Sequence, residues 1–298
     1  MERLGQGFDG ASLWQSADAT ANKPKSASPS QGWSGGRSTE PSAALRSRLS
    51  EVIEGEIIPR LMLSHRPPRR TVVDDAPKPS IDEIVAFARL VISPDLDAAT
   101  EHVRNLRLSG MSAESLCLDL LAPTARCLGE LWEEDLCDFL DVTVGLSRLQ
   151  CILQELTPYL GPERGDTESL RRILLLPAPH ETHTFGIAMV EKFFRASGWD
   201  VAGGAGSSAD LAVDLVRAEW FGIAGFSVST ENHLDAVGAC IRATRRASCN
   251  PAISVIVGGP LFVDRPDLAV LLGADALAGD GVSAVLMAQS LLDLKARA

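Results

Sequence analysis

The sequence has no long apolar run and no basic leader segment. Its most apolar stretches, such as Ile173–Leu176 and Ile253–Val257, are much shorter than the roughly 20 residues needed to span a bilayer. Met1–Gly10 contains acidic residues and glycines in place of a basic start followed by an apolar segment, which argues against a secretory signal. These absences predict a soluble, cytoplasmic protein.

Paired cysteine motifs are also absent. None of the six cysteines belongs to a C-x-x-C pair, which argues against zinc-knuckle and thioredoxin-type chemistry. Cys117, Cys127 and Cys151 lie within stretches of apolar periodicity. We therefore expect these three to be small residues of a hydrophobic core.

The charge is unevenly distributed along the 298 residues. Residues 1–80 hold 11 Lys and Arg against 9 Asp and Glu, so residues 81–298 hold 17 against 30, within a net charge of −11. Nucleic acid and anionic membranes both require a basic footprint. We therefore expect the acidic body to contact neither of them directly.

The first 79 residues are predicted to be disordered apart from one helix. Gln15–Ala44 contains no Val, Ile, Leu, Met or Phe, so it lacks the apolar surface that would offset the loss of chain entropy. Apolar residues then recur every three or four positions near residues 45–62 and predict an amphipathic helix, although Pro59 interrupts it. Two interpretations stay open: the helix docks on its own domain, or it is offered to a partner's groove.

Residues 80–160 carry the pattern of a four-helix bundle that forms a cap. Ser80-Ile-Asp-Glu83 is a capping box that opens the first helix, and the second is predicted to have Pro94 at its first helical position and to end at Gly110. The third helix begins near Ser112, with a kink expected at Pro123, and the fourth spans about Asp138–Leu156. Short connections between them favour antiparallel packing.

Residues 168–298 predict an α/β domain, because short apolar strands here alternate with helices. The predicted strands are Arg172–Pro177, Trp199–Ala202, Phe221–Phe226, Ile253–Val257 and Asp275–Ala278. Five strands alternating with five helices indicate a flavodoxin-like, doubly wound parallel sheet. Such sheets bind ligands at the carboxyl ends of their strands, so the loops that follow the strands are the candidate site.

Three of these loops carry residues suited to binding a cofactor. Pro179–Gly186 follows the first strand, Ser227–Thr230 the third, and Gly258–Pro260 the fourth. A histidine beside a carboxylate can act as a metal ligand that its neighbour orients. Adjacent glycines let the backbone approach a large ligand closely.

The same loops resemble cobalamin-binding domains of the methionine synthase and methylmalonyl mutase type. Glu181-x-His183-x-x-Gly186 is similar to their D-x-H-x-x-G signature, and Ser227-x-Ser229 and Gly258-Gly259 are similar to their S-x-L and G-G motifs. Forty residues separate the first two motifs and 28 separate the second and third, close to the family's spacing. Leu128–Trp132 looks like the cap segment whose tryptophan covers the upper face of the corrin, and the resemblance spans about 80–298.

The resemblance implies a cofactor, a metal ligand and a set of contacts. The cofactor is cobalamin, in its hydroxo or adenosyl form, bound base-off and His-on with His183 as the lower axial ligand of cobalt. The residues it implies for cofactor binding are Glu181, Thr182, His183, Thr184, Phe185, Gly186, Ser227, Val228, Ser229, Gly258, Gly259 and Trp132.

The chain departs from the family pattern at three places. Glu181 replaces Asp, which keeps a carboxylate but changes its reach, and Ser229 replaces Leu, which puts one contact of the tail pocket in doubt. Val142-Thr143 stands where light-sensing and methyltransferase relatives often carry Glu-His. The missing upper histidine argues against the bis-histidine photoproduct of CarH-type regulators.

At the functional level the chain looks like the PpaA/AerR-type regulators of photosynthesis genes in purple bacteria. The resemblance rests on the long low-complexity N-terminus, the E-T-H-T-F-G loop and the V-G-G-P-L-F segment. The resemblance implies a light- or redox-responsive antirepressor, not an enzyme, that binds a PpsR/CrtJ-type transcriptional repressor. The hypothetical switch is that loss of an upper axial group in light repacks the cap below Trp132. A corrinoid shuttle protein of a methyltransferase system is the alternative.

Two other kinds of site receive lower weight. His180, Glu181 and His183 superficially resemble a zinc site, but H-E-x-H differs from H-E-x-x-H and no clear third ligand is present. Gly204-x-Gly206-x-x-Ala209 matches a dinucleotide fingerprint, yet it follows the second strand, and a simple turn between strand and helix is the favoured interpretation.

Overall fold

The computed structural model describes residues 78–95, 97–161 and 170–296. The helix predicted near residues 45–62 lies outside the described residues, as does the rest of the predicted disordered region before Lys78. Within the part that is described, no helix is long and apolar enough to cross a membrane.

The first half of the described chain is helical. Its elements are α1 (Ile81–Ile92), α2 (Ala98–Leu108), α3 (Ala113–Ser115), a π-helical turn (Leu116–Leu121), α4 (Ala122–Glu133) and α5 (Phe139–Leu160). Reciprocal capping bonds start α1, where the Ser80 amide donates to Glu83 at 2.7 Å and the Glu83 amide donates to the Ser80 hydroxyl. Asp138 and Asp141 form the same reciprocal pair at the start of α5.

Two helix boundaries and one side chain differ from the sequence-based predictions. The second helix begins at Ala98 and not at Pro94, because the Asp95 carboxylate accepts the amides of Asp97 and Ala98 and caps the helix there. The fourth helix continues beyond Leu156 to Leu160. Cys151 is exposed, so its assignment to the core is wrong; Cys117 and Cys127 are buried as predicted.

The irregularity expected at Pro123 takes the form of the π-helical turn. Pro123 has no amide hydrogen, so the regular hydrogen-bond ladder breaks one turn before it. The amide of Ala122 instead donates to the Cys117 carbonyl, five residues back. The helix therefore changes its winding and continues as α4.

The second half of the described chain is a parallel sheet with helices on both faces. The strands are β1 (Arg172–Pro177), β2 (Asp200–Gly203), β3 (Ile223–Ser227), β4 (Ser254–Gly258) and β5 (Ala276–Ala278). The helices are α6 (Phe185–Ala196), α7 (Ala212–Ala218), α8 (Leu234–Ala247), α9 (Leu261–Asp264), α10 (Asp267–Leu271) and α11 (Gly281–Ala296), with 3-10 turns at Ala209–Leu211 and Glu231–His233. The short helix α9 was not predicted.

The strand order is β2-β1-β3-β4-β5, and every pairing is parallel. This is the order of flavodoxin-like sheets, so the predicted fold class is confirmed. From β1 the chain continues to β2 on one side of the sheet, and from β3 it continues to β4 and β5 on the other side. The crevice at the carboxyl ends of β1 and β3 is therefore the topological switch point of the sheet.

The helical cap packs against the sheet domain through α6 and α11. Phe185, Met189 and Phe193 of α6 belong to the same buried cluster as cap residues such as Leu128 and Leu153. The loop after β1 leads directly into Phe185, so the cap and the predicted cofactor loop are joined by a continuous apolar contact.

Candidate functional site

The loops after β1 and β3 leave the sheet side by side at the switch point. The Ala178 amide donates to the Ser227 carbonyl at 2.8 Å, which extends the pairing of the two strands into the loops. His180 then takes a left-handed conformation with φ 65°, and the Glu181 amide donates back to the Ala178 carbonyl. This tight turn directs Glu181 towards the β3 loop.

Glu181 is the centre of a hydrogen-bonded cluster. Its Oε1 accepts the backbone amide of His183 at 2.8 Å and lies 2.7 Å from the His183 Nδ1. Its Oε2 accepts the backbone amide of Ser229 at 2.9 Å and also the Ser229 hydroxyl. Four donors therefore match the four lone-pair positions of a carboxylate.

The cluster keeps this carboxylate ionised although only 1% of the Glu181 side chain is exposed. Burial by itself would raise the pKa of the Glu181 carboxyl, because desolvation disfavours the charge. The hydrogen bonds from Ser229 and His183 outweigh that effect and lower the pKa to about 2. A buried charge satisfied on every side is a rigid anchor for the histidine.

His183 shows the opposite exposure. Its side chain is 70% exposed, and its hydrogen bonds to described residues, with Glu181 and with the Ser229 hydroxyl at 3.1 Å, both involve Nδ1. An ionised carboxylate at Nδ1 favours the tautomer with the proton on that nitrogen, which leaves the lone pair on Nε2. The arrangement presents an oriented imidazole nitrogen to a ligand.

Backbone, not side chains, forms the rim above β4. Gly259 has φ 119°, and a Cβ there would lie 2.2 Å from the Val228 carbonyl oxygen. A Cβ on Gly258 would lie 2.9 Å from the Ala278 carbonyl oxygen. Gly259 is therefore required for the β4 loop to approach the β3 loop, and Gly258 for β4 to approach β5, and the result is a low rim without side chains.

The other predicted residues fall into three groups. Thr182 and Gly186 are exposed beside His183, and Thr184 is the N-cap position of α6. Phe185 and Val228 are buried and support the loops from below. Trp132 is half exposed at the end of α4 in the cap and takes no part in the cluster around Glu181.

Sequence reasoning missed what Ser229 does. The sequence placed Ser229 among the cofactor-binding residues and put one contact of the tail pocket in doubt; the structure adds that both its amide and its hydroxyl donate to Glu181. The sequence signal was the coincidence of two departures from the family pattern. A carboxylate longer by one methylene occurs together with a hydroxyl 48 residues later, and the two groups meet.

Neither the zinc-like site nor the dinucleotide-like turn gains a further binding group among the described residues. No group of three or more His, Cys, Asp or Glu among the described residues is arranged to hold a metal ion. Gly204 has φ 103° beside the edge strand β2, and a Cβ there would lie 2.4 Å from the Glu191 carboxylate. The glycine thus makes room for a neighbouring side chain within the turn.

The chain is similar to several known proteins. Residues 171–287 match the family model of the B12 binding domain. A Rhodobacter capsulatus protein described as an uncharacterized 20.5 kDa protein in the bchF-crtJ intergenic region is 26% identical over 177 residues, which are 58% of this chain and 90% of that protein.

Among solved structures, the chain is similar to the monomethylamine corrinoid protein of Methanosarcina barkeri. The TM-score is 0.57 at 14% identity, over 72% of this chain and 100% of the other. A cobalamin-binding protein from Desulfitobacterium hafniense DCB-2 matches with a TM-score of 0.37 and 20% identity, over 71% and 99% of the two chains. The first likeness shows a common fold.

Proposed function

We propose, from the match of residues 171–287 to the family model of the B12 binding domain, that the protein is a cobalamin-binding regulator and not an enzyme. The observation that carries the proposal is the cluster of Glu181, His183 and Ser229 at the switch point, which orients one exposed imidazole nitrogen. A bound corrin supplies a cobalt ion and, in its alkyl forms, a photolabile cobalt–carbon bond.

His183 is the proposed lower axial ligand, in the base-off, His-on mode. The imidazole has the donor chemistry for this role, and the carboxylate at Nδ1 fixes its orientation. Because Glu181 is held by donors from the loops after β1 and β3, the nitrogen needs little reorganisation when it binds.

The surroundings of His183 fit a large flat ring. Gly258 and Gly259 keep the neighbouring rim free of side chains, and the position of a Cβ on Gly186 is open space. Thr182, Thr184, Ser227 and Ser229 provide hydroxyls on the same loops. We propose that these loops hold the corrin and its nucleotide tail, and that Trp132 of the cap covers the upper face.

The proposed partner is a PpsR/CrtJ-type transcriptional repressor, with the chain acting as its light- or redox-responsive antirepressor. This is supported by the resemblance to PpaA/AerR-type regulators and by the printed description of the Rhodobacter capsulatus relative, which names the bchF-crtJ intergenic region. The acidic body is complementary to the basic surface with which a repressor holds DNA, and the two would compete.

Titration of the purified full chain with hydroxocobalamin and adenosylcobalamin, in the dark and after illumination, tests cofactor binding. We expect a saturable change in the visible spectrum that His183→Ala abolishes. His180→Asn is the matched control, because it removes a neighbouring exposed histidine and asparagine tolerates the positive φ. A wild-type spectrum for His183→Ala would contradict the ligand assignment, and no change with either form would contradict cobalamin binding.

A DNA-binding assay with the repressor tests the regulatory role separately. The cobalamin-loaded chain is expected to lower the fraction of promoter DNA bound by the repressor, whereas His183→Ala treated in the same way leaves it unchanged. Normal cobalamin binding without any effect on the repressor would contradict the proposed partner but would not affect the proposal of the cofactor.

The alternative function is a corrinoid shuttle for methyl transfer. The observation in its favour is the fold-level match to a monomethylamine corrinoid protein along that protein's entire length. A shuttle accepts and releases a methyl group with a partner methyltransferase, while a regulator does not. Turnover of methyl groups by the loaded chain would favour the shuttle.

A further inference from the structure

Four large apolar side chains are exposed where α4 connects to α5. Trp132, Leu136, Phe139 and Leu140 are 51%, 66%, 73% and 67% exposed, and they fall within nine consecutive residues. We call these four side chains the apolar patch. Single exposed apolar residues are common on protein surfaces, but a cluster of this size marks an interaction site.

The patch is held in place by an ordered turn. The Leu136 amide donates to the Leu131 carbonyl at 2.8 Å, and the Asp135 amide donates to the Trp132 carbonyl at 3.1 Å. This pair of bonds ends α4 around Asp135, which has a left-handed φ of 57°. The capping bonds of Asp138 then start α5. The apolar side chains are therefore displayed by fixed backbone and not by a frayed helix end.

The charged residues within the segment that carries the patch are all acidic. Glu130–Asp141 contains six acidic residues and no basic residue: Glu130, Glu133, Glu134, Asp135, Asp138 and Asp141. Residues 57–73 have the opposite composition, with four arginines, no acidic residue and the apolar run Leu61-Met62-Leu63. This segment of the chain thus offers apolar groups that can pack on the patch and basic groups that can pair with its acidic neighbours.

The chain before Lys78 is long enough to reach the patch. Lys78 lies beside Asp119, 3.2 Å away, near the start of the long helical run that ends with Trp132. Arg148 donates to the Val91 carbonyl at 2.7 Å, so the far end of α1 lies against the middle of α5. The run from Asp119 to Trp132 is about 20 Å long, while the eight residues from Arg70 to Lys78 extend up to about 26 Å.

We propose that residues 57–73 of the same chain bind the apolar patch, with the apolar run against Trp132 and Phe139 and the arginines against the acidic rim. A tethered segment acts at an effective concentration in the millimolar range, so a weak contact suffices to cover the patch. The contact is internal to the chain, does not depend on a repressor, and belongs to the cofactor-free chain, because Trp132 is also the residue proposed to cover the corrin.

Site-specific photo-crosslinking of the full chain tests the proposal. With benzoylphenylalanine at position 139, irradiation at low protein concentration should join position 139 to a peptide from residues 57–73, within the monomer band. The same group at position 271 is the matched control, because Leu271 is an equally exposed apolar residue on α10. Control and test positions differ only in their neighbours.

Charge variants show whether the contact has the proposed chemistry. Reversal of Arg60, Arg66, Arg69 and Arg70 to Glu should lower the crosslink yield at least about tenfold, because four attractive pairs become repulsive. Replacement of the same four residues by Lys should retain it. A crosslink to a second chain, no crosslink to 57–73, or equal yields from positions 139 and 271 would overturn the proposal.

Discussion

Replacement of Glu181 by glutamine gives the most quantitative test of the cluster that joins the β1 and β3 loops. The amide has nearly the same shape as the carboxylate, but one of its two ends is an NH2 group and cannot accept a hydrogen bond. Whichever way the amide lies, one pair of donors loses its acceptor: either the two N–H groups of His183 or the amide and hydroxyl of Ser229.

The expected loss of stability is about 3 kcal/mol, since two hydrogen bonds to a charged group are lost and partly buried donors remain. The pKa of the Glu181 carboxyl leads to a similar figure. It lies at about 2 instead of its ordinary 4.5, and a difference of this size corresponds to about 3 kcal/mol of stabilisation of the ionised form.

Urea unfolding of the cofactor-free full chain at neutral pH is the assay, and the free energy of unfolding is the quantity compared. Ser227→Ala is the control for stability, because its hydroxyl lies two residues from Ser229 on the same loop and is outside the cluster. Ser229→Ala and the double variant complete a mutant cycle with Glu181→Gln, and we expect a coupling energy of at least about 1 kcal/mol. A loss below about 0.5 kcal/mol, or additive effects in the cycle, would refute the reasoning.

The same variant reports on the proposed cofactor site. Without an ionised carboxylate at Nδ1, His183 loses the partner that sets its tautomer and orientation. We expect Glu181→Gln to weaken hydroxocobalamin binding about 10- to 100-fold. An unchanged affinity together with the expected loss of stability would mean that the cluster supports the fold and not the ligand.

Three further predictions concern pH, the backbone and the thiols. The stability that ionised Glu181 contributes is complete above pH 4.5 and is lost as the pH falls towards 2, so the gap in unfolding free energy between wild type and Glu181→Gln should narrow over that range. Gly259→Ala should lower the free energy of unfolding by at least about 2 kcal/mol, because φ is 119° and the new Cβ would meet a carbonyl oxygen. Gly129→Ala inside α4 has open space and should raise the free energy of unfolding by about 0.5–1 kcal/mol in the same assay. Cys151 should react with a thiol reagent in the native protein; Cys117, whose pKa burial raises to about 12, should react only on unfolding, and equal native rates would contradict both placements.

The alternation of short apolar strands with amphipathic helices was sufficient to predict the sheet, because a parallel sheet buries both faces and its strands are continuously apolar. The observed strands lie within two residues of the predicted ones. Capping residues such as Ser80 and Asp138 also marked their helix starts correctly. Element boundaries away from such signals, such as the start of α2, were less predictable.

Residues that depend on contacts distant in the chain were less accessible to sequence reasoning. Cys151 follows the apolar periodicity of α5, yet Ile152 and Leu153 occupy the buried face and Cys151 the outer one. An apolar pattern allows more than one orientation of a helix, and only packing against neighbouring helices selects among them. The exposure of the apolar patch was likewise not predictable from the sequence, since apolar residues in a helical bundle are expected to be buried.

The local order of residues determined the composition of the candidate site: a carboxylate and a histidine after β1, two serines after β3 and two glycines after β4. These are properties of neighbours along the chain, and short-range rules describe them. The tertiary structure alone decided that Ser229 binds Glu181, that this leaves the Nε2 of His183 available, and that Phe185 ties the loop to the cap. The contacts of Glu181 join groups up to 48 residues apart, and they form only because the parallel register of β1 and β3 brings the two loops together.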